Sequence, residues 1–368
     1  MFKTLEGFRS RELVKKIARA IHEISRSREP FHAKLMHVCG THEQALRKYA
    51  IDTMLPSNVQ VVSGPGCPVC VCPSRDIDEA QKLARMEDVI LTTYGDMVKV
   101  PGTNNSLWGI KSEGGDVRIC YGIQDAIKIA ETNRDKQIVF FSVGFETTAS
   151  GVAAALAQNV PENFFILISH RLIPPALELL MGLGETYIDG FLCPGHVATI
   201  IGAAPFKMFA EQYQMATVVA GFEPVDILAG TLMLVRQIVA NSPKCENQYT
   251  RVVSENGNQR ALEIMNRTYN IAPVNWRGIG RVPYSGHELK PEFEHLDARK
   301  QFDVELEWEP LDVHPGCSCH LVMLGKISPP ECKLFGKRCF PNDPYGPCMV
   351  SSEGPCRIWH QYGKLRKL

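Results

Sequence analysis

Two cysteines in the first third of the chain have the spacing required for thiol or metal chemistry. Cys67 and Cys70 form a CxxC motif in the loop Gly64-Pro-Gly-Cys-Pro-Val-Cys70. In such a loop two sulfurs approach closely enough to form a disulfide or share a metal, and thiol pKa values fall. A buried structural pair is the alternative, but the glycines and prolines favour a shaped loop over a core strand.

Cys39 is a third candidate, because it ends a predicted buried strand and precedes the turn Gly40-Thr-His42 into a predicted helix. The first amides of that helix would stabilise a thiolate. A soft thiolate beside an imidazole suits either a nucleophile or an iron ligand. Two plainer alternatives stay open: Cys39 as a small buried hydrophobe, and His42 as a helix-capping or core histidine.

Glu146 and His196 lie at two further strand ends. Glu146 stands in Gly144-Phe-Glu-Thr-Thr148, where its carboxylate either faces a cleft or caps the following helix. His196 is a candidate proton donor, ligand or loop-stabilising residue. The chain has neither the GxGxxG nor the GKS/T pattern here, so the α/β character does not imply a dinucleotide or P-loop nucleotide site.

The final stretch of the chain carries six of its thirteen cysteines. They are Cys317, Cys319, Cys332, Cys339, Cys348 and Cys356. In a reducing compartment so many thiols indicate metal or redox chemistry more often than disulfides. Paired CxxC knuckles, common in structural zinc sites, are absent, and the spacing leaves an iron–sulfur cluster and zinc equally open. The segment has little periodicity, so metal coordination would replace a core.

Eight runs rich in β-branched and aromatic residues predict strands. They span residues 33–39, 59–63, 88–94, 116–121, 137–144, 163–170, 187–193 and 216–221. Their mostly non-alternating apolar character is typical of parallel strands buried on both faces. The pattern predicts two doubly wound, mainly parallel-sheet α/β domains, at residues 1–122 and 123–235. A helical and irregular C-terminal domain, residues 236–368, would carry the metal site.

The reactive residues stand at the carboxyl ends of these predicted strands. Ligands of open α/β sheets bind outside those ends, so we expect the polar loops to meet in one or two clefts. Beyond residue 224 the pattern predicts helices at 225–240 and 258–268. It predicts no regular structure over residues 271–315, which are rich in proline, glycine and charge.

Composition excludes several function classes. The 368 residues are 45% hydrophobic, and 40 basic residues balance 40 acidic ones. A net charge of zero argues against a general nucleic-acid binder or a polybasic membrane module, since both need a positive field. The first 25 residues predict an amphipathic helix and not a signal peptide, and no apolar run could span a bilayer. We expect a cytoplasmic protein.

Together these motifs resemble the hydrogenase maturation protein family HypD, nearly from end to end. The motifs that carry the resemblance are Cys39-Gly-Thr-His-Glu43, Gly64-Pro-Gly-Cys-Pro-Val-Cys70, Tyr94-Gly-Asp96 with Val100-Pro-Gly102, Gly144-Phe-Glu-Thr-Thr148, Pro194-Gly-His-Val197, Ala220-Gly-Phe-Glu-Pro224, Glu246-Asn-Gln-Tyr249 and Met349-Val-Ser-Ser-Glu-Gly354.

The resemblance implies a scaffold that assembles the Fe(CN)2CO unit of nickel–iron hydrogenases. Its partners would be the small chaperone HypC, the cyanide-donating protein HypE and, indirectly, the hydrogenase large subunit. Cys39 would bind iron, and Cys67 and Cys70 would be a redox-active dithiol near it and further candidate metal ligands. His42, Glu146 and His196 would complete the site.

The resemblance also makes the C-terminal domain an iron–sulfur domain. A 4Fe-4S cluster would be held by Cys319, Cys332, Cys339 and Cys356, with Cys317 and Cys348 as extras. Gln44 departs from the family, in which many members have a second histidine. Two alternative functions stay open: a general thiol-disulfide oxidoreductase and a purely structural metal-binding scaffold. Cys39 separates an iron scaffold from an oxidoreductase, because an oxidoreductase needs only Cys67 and Cys70.

Overall fold

The computed structural model describes residues 5–28, 30–182 and 187–363. All eight predicted strands are present, and three more follow them. The strands are β1 (Ala33–His37), β2 (Val59–Ser63), β3 (Val89–Thr93), β4 (Val117–Ile119), β5 (Gln137–Gly144), β6 (Phe164–His170), β7 (Gly190–Pro194), β8 (Ala216–Ala220), β9 (Cys245–Asn247), β10 (Tyr269–Trp276) and β11 (Gly280–Leu289).

Helices connect most of the strands. They are α1 (Leu5–Phe8), α2 (Arg11–Arg26), α3 (Gly40–Lys48), α4 (Pro68–Val71), α5 (Ser74–Ala84), α6 (Leu107–Ser112), α7 (Ile123–Thr132), α8 (Glu146–Leu156), α9 (Ile173–Gly182), α10 (Gly195–Ile201), α11 (Lys207–Tyr213), α12 (Pro224–Val239), α13 (Gln259–Thr268), α14 (Ala298–Gln301), α15 (Cys319–Met323), α16 (Pro347–Val350) and α17 (Pro355–Tyr362). Short 3₁₀ turns cover Ile51–Met54, Gly95–Lys99, Ala204–Phe206, Pro291–Leu296 and Pro329–Glu331.

Nine strands form two parallel sheets, which confirms the predicted α/β class. The first sheet has the order β2-β1-β7-β8-β9 and the second the order β4-β3-β5-β6. Neighbouring strands in both sheets run parallel. Every residue of β3 is buried, as is every residue of β5 except its first. Helices cover both faces of such strands, which is why their sequences do not alternate.

The two sheets do not divide the chain at residue 122. The first sheet takes β1 and β2 from the range 1–122, and its other strands come from residues beyond 189. The second sheet takes β3 and β4 from that range and pairs them with β5 and β6. Burial on both faces identifies a strand but carries no information on its partner, so the pattern located the strands without assigning them to sheets.

The antiparallel ribbon β10–β11 was not predicted. Its two strands pair from Tyr269 with Leu289 to Trp276 with Gly280, and the register shifts between Ala272 and Val274. Pro273 occupies that shift. Proline lacks an N–H to donate and is tolerated in strands mainly at edges and bulges, so this sequence resembles a loop.

The predicted amphipathic helix near the N-terminus is present as α2. Ser10 caps it by accepting from the N–H of Leu13, and its buried face packs on α12. That face includes Val14, Ala18 and Ile21, which recur at helical spacing. Within the described ranges, no helix combines the length and the apolar character needed to cross a membrane.

The cysteine-rich segment packs on the α/β body. Cys319, Cys339 and Cys356 belong to the same hydrophobic cluster as Leu91 of β3 and Phe141 of β5. Up to residue 363, where its described part ends, this segment has no regular sheet, as predicted, but it shares its core with the second sheet.

Candidate functional site

Each parallel sheet reverses its strand order at one point, and sequence motifs stand at both points. In the first sheet the reversal lies between β1 and β7, which are followed by Cys39 and His196. In the second it lies between β3 and β5, which are followed by Asp96 and Glu146. A crevice forms where connections leave in opposite directions, and ligands of such sheets bind there. Four of the motifs predicted at strand ends therefore stand at these two points.

The Cys39 turn and the CxxC loop are in direct contact. The N–H of Gly40 donates to the carbonyl of Gly66 at 3.2 Å. A Cβ built at Gly66 would overlap the backbone of Val38 and Cys39, at less than 3.0 Å from both. Only glycine lets the two chain segments approach this closely. The position of Gly66 thus places the CxxC motif beside Cys39.

The Cys39 thiol is buried, with 8% of its surface exposed. Burial raises its pKa to about 12, and the nearby Glu353 carboxylate adds to the increase. The N–H groups of Thr41 and His42 donate toward the sulfur and act in the opposite direction. We expected helix amides to stabilise a thiolate; they do point at the sulfur, but loss of solvent outweighs them. Without a cation the group is therefore a thiol.

Cys67 and Cys70 are joined by a disulfide. The CxxC motif forms the first turn of α4, with Cys67 as the N-cap residue and Pro68 at the first helical position. Helix α4 packs against α16, which carries Cys348. Cys67, Cys70 and Cys348 are each at most 2% exposed and share one hydrophobic cluster. The disulfide therefore lies between the Cys39 turn and the cysteine-rich segment.

The six C-terminal cysteines surround one small cavity. It is lined by Cys317, Cys319, Cys332, Cys339, Cys348 and Cys356, together with Leu334, Phe335, Gly346 and Met349. Short elements bring the sulfurs together: Cys319 begins α15, Cys348 lies in α16 and Cys356 lies in α17. The N–H of Tyr345 donates to the sulfur of Cys339 at 3.4 Å.

Hydrogen bonds distinguish Cys319 from its neighbours. The thiols of Cys317 and Cys348 donate to it and hold its pKa well below the usual value for a thiol. The same interactions raise the pKa of Cys317 and Cys348. The sulfurs of Cys317, Cys319 and Cys348 are therefore close neighbours on the wall of the cavity.

The cavity between the six cysteines has apolar side chains in its wall as well as thiols. In the described part of the chain, no three His, Cys, Asp or Glu side chains are arranged to hold one metal ion. An iron–sulfur cluster places each thiolate on a different iron and so needs separated sulfurs around a cavity. The apolar lining by Leu334, Phe335 and Met349 would exclude water from it.

The rings of His42 and His196 both lie close to the ring of Phe222. Phe222 stacks on the ring of His196 at 3.8 Å between centroids and lies 4.9 Å from that of His42. The Nε2–H of His42 donates to the carbonyl of Gly221 at 3.0 Å, and burial lowers its pKa to about 3. Its Nδ1 is buried with no hydrogen-bond partner among described residues. A neutral imidazole held by a carbonyl is the usual orientation of a metal-binding histidine. His196 is exposed.

Glu146 has an environment separate from that of the other predicted site residues. It is buried at the first position of α8, and its Oε1 accepts from the N–H of Ile173 at 2.9 Å. Its Oε2 has no partner in the described structure. Burial raises the pKa of Glu146 to about 7. The hydrogen bond from Ile173 joins α8 to α9 and does not involve the cysteine loops.

A buried charge network behind Cys39 was missed. The carboxylate of Glu43 accepts from His37 Nε2 at 2.5 Å and from Arg47 Nε at 2.8 Å. Burial alone would raise the pKa of Glu43, but the charges and hydrogen bonds of Arg47 and His37 hold it well below its usual value. Arg47 also covers the Trp359 ring at 4.0 Å. The i,i+4 spacing of Glu43 and Arg47 was the available signal.

This network connects the Cys39 helix to the cysteine-rich segment, because Trp359 lies in α17 with Cys356 and α17 packs on α3. The cysteine motifs thus meet through two helix contacts, α4 with α16 and α3 with α17. A family model described as "HypD: Hydrogenase formation hypA family" matches residues 12–363. The chain belongs to the HypD family of hydrogenase maturation factors.

Relatives match over almost the whole chain. Hydrogenase maturation factor HypD2 of Bradyrhizobium diazoefficiens is 42% identical, covering 99% of this chain and 98% of the relative. A putative hydrogenase expression/formation protein of Methanocaldococcus jannaschii is also 42% identical, over 96% of this chain and 98% of its own. Hydrogenase maturation factor HypD of Cupriavidus necator is 38% identical, over 100% of this chain and 98% of its own. These matches confirm the HypD resemblance drawn from the motifs.

Proposed function

We propose that this HypD-family chain is a scaffold on which the Fe(CN)2CO unit of nickel–iron hydrogenases is assembled, with Cys39 binding the iron. One observation carries the proposal: the buried Cys39 thiol, a disulfide and a six-cysteine cavity are in contact through α3, α4, α16 and α17. A general thiol-disulfide oxidoreductase needs only Cys67 and Cys70. The buried Cys39 beside them favours the scaffold.

Cys39 offers one soft ligand, so iron held there needs ligands from elsewhere. Cys67 and Cys70 are tied in a disulfide, and the Nδ1 lone pair of His42 is buried on the same helix. A cysteine of the small chaperone HypC would be a second ligand. Binding iron costs the Cys39 thiol its proton, which the divalent charge makes favourable despite burial.

Delivery of cyanide accounts for the disulfide. In HypE the cyanide would arrive as a thiocyanate, whose S–C bond breaks when two electrons enter. With Cys67 and Cys70 as the dithiol, one thiocyanate and two thiols give one HypE thiol, one HCN and the Cys67–Cys70 disulfide. A 4Fe-4S cluster on Cys319, Cys332, Cys339 and Cys356 would supply single electrons to restore the dithiol.

Infrared spectroscopy of the anaerobically purified complex with HypC tests the iron site. We expect bands of iron-bound cyanide and carbon monoxide, which Cys39→Ser loses because a hydroxyl is a much weaker iron ligand than a thiolate. Cys120→Ser changes another buried cysteine, after β4, and should keep them. His42→Ala should give a milder loss. Full-strength bands in Cys39→Ser would contradict the proposal and place the iron elsewhere.

Iron content and visible absorbance test the cluster. Cys332→Ala should lose about four irons and the absorbance, because one ligand of the cluster is gone. Cys317→Ala alters the same cavity at an extra cysteine and should retain both. The cluster assignment would be contradicted if the parent protein contained stoichiometric zinc and Cys332→Ala kept the iron content of the parent.

A further inference from the structure

Two motifs have no role in the proposed function, and they meet in the structure. Tyr94-Gly-Asp96 follows β3. Met349-Val-Ser-Ser-Glu-Gly354 runs from the last residues of α16 to the start of α17. A single oxygen of Asp96, Oδ2, accepts from the N–H of Ser352 at 2.9 Å, from its hydroxyl at 3.0 Å and from the hydroxyl of Ser351 at 3.2 Å. We call residues 351–354 the clasp segment.

The clasp segment lies over the Cys39 turn. A Cβ built at Gly40 would come within 2.9 Å of the Cα of Glu353 and 2.5 Å of its carbonyl oxygen. The Glu353 carboxylate is close enough to Cys39 to affect its thiol. Glycine next to the thiol is thus required by the passage of this segment, and the segment contributes to the burial of Cys39.

The same segment is fixed at both ends by cysteine-bearing helices. Cys348 lies in α16, immediately before it, and Cys356 lies in α17, immediately after it. A Cβ at Gly354 would overlap the carbonyl of Cys348. The clasp segment is therefore held between the two helices that carry Cys348 and Cys356.

We propose that Asp96 is a positioning residue, which holds the clasp segment over Cys39 and thereby ties access to the Cys39 thiol to the arrangement of the cysteine-rich segment. This rests on the proposed role of Cys39. Asp96 contacts neither iron nor thiol and acts through Ser351 and Ser352. Hydrogen bonds to a carboxylate are stronger than hydrogen bonds between neutral groups, so the Asp96 side chain alone can hold the short clasp segment in place.

The test is the rate at which iodoacetamide alkylates Cys39 in the full-length protein, followed residue by residue by mass spectrometry. Asp96→Ala should raise that rate on the order of tenfold, the change that ~1.4 kcal/mol produces. Ser352→Ala removes one hydroxyl at an exposed position and should give a smaller rise. Asp96→Asn should be intermediate, because an amide oxygen still accepts.

Two references make the result specific. Asp116→Ala removes a carboxylate that pairs with Arg118 on the surface near β4, and should leave the rate unchanged. Cys193, buried in β7, reports general loosening and should keep its slow rate in every variant. An unchanged Cys39 rate in both Asp96→Ala and Ser352→Ala would overturn the proposal. Equal increases at Cys39 and Cys193 would also overturn it, by assigning Asp96 a purely structural role.

The alkylation experiment needs no iron and is therefore independent of the infrared test. Infrared bands retained in Cys39→Ser, with selective alkylation of Cys39 in Asp96→Ala, would overturn the iron site and leave the clasp in place. Infrared bands lost in Cys39→Ser, with no change in the alkylation of Cys39 in Asp96→Ala, would support the iron site and overturn the role of the clasp segment.

Discussion

Gly66→Ala should destabilise the protein by separating the Cys39 turn from the CxxC loop. The new methyl would lie less than 3.0 Å from backbone atoms of Val38 and Cys39, which cannot rotate away as a side chain could. Apolar contacts are optimal near 3.5–4.0 Å, so the two segments must move apart by on the order of 1 Å. Gly66 does not have a positive φ, so the cost comes from packing and not from its own backbone conformation.

The magnitude has two parts. Overpacking a well-packed site costs typically about 1–3 kcal/mol. The movement also breaks the hydrogen bond from Gly40 N–H to the Gly66 carbonyl, now 3.2 Å long, which adds about 0.5–1.5 kcal/mol. We therefore expect the free energy of unfolding to fall by about 2–4 kcal/mol.

Urea unfolding of Gly66→Ala, followed by far-ultraviolet circular dichroism, measures this loss. Gly151→Ala is the matched control, because Gly151 lies inside α8 and its Cβ would have nothing within 4 Å. Alanine there should be neutral or stabilise by up to about 1 kcal/mol through helix propensity. If Gly66→Ala unfolds at the same urea concentration as the parent, the Cys39 turn and the CxxC loop do not pack as described and do not form a shared site.

Three more predictions follow from single sites. Burial gives Glu146 a pKa of about 7 in the folded chain against an ordinary 4.5, so its contribution to stability is complete below pH 4.5 and falls as the pH rises to 7. In urea unfolding from pH 4 to 8, the free energy of unfolding of Glu146→Gln should rise relative to that of the parent by up to about 3 kcal/mol. A difference that does not change with pH would contradict this. Cys67→Ser should leave Cys70 as a thiol that is alkylated after mild oxidation, whereas the parent protects both; protection of neither in the parent would make them ordinary thiols. Arg47→Met and Trp359→Leu, made singly and together, should show a coupling free energy of about 0.5–2 kcal/mol in a double-mutant cycle, because the guanidinium lies 4.0 Å from the ring centroid. Simple additivity of the two changes would contradict the contact between α3 and α17.

The sequence by itself located the strands and the reactive loops. Runs such as residues 89–93, Val-Ile-Leu-Thr-Thr, do not alternate between apolar and polar positions, which is typical of a strand covered on both faces, and each run ends in a turn with glycine, proline, cysteine or histidine. Because parallel strands present their carboxyl ends on one edge, the sequence predicted that the polar loops meet in one or two clefts, but not which loops share a cleft. The segment with six cysteines and little periodicity required a substitute for a core, and its sulfurs do line one cavity.

Only the tertiary structure decided which segments meet. The pairing of β1 with β7 joins residues about 150 apart in the chain, and the alternative pairing with β3 would bury equally apolar faces. The contact of Asp96 with Ser352 and that of Arg47 with Trp359 join segments even farther apart in sequence. Local propensity acts over a few residues, whereas these contacts depend on how sheets and helices pack, so no single-sequence pattern encodes them.

The same limit applies to charge and reactivity. The amides at the start of α3 could be anticipated from the turn after Cys39, and a buried Cys39 was one open alternative. The Glu353 carboxylate, which adds to the effect of burial in raising the pKa of the thiol to about 12, could not be anticipated. Desolvation depends on every segment that covers a group, and the cover of Cys39 comes from residues more than 300 positions later in the chain. Residue type and spacing determined which groups could react here, and packing decided their neighbours, their protonation and their access to solvent.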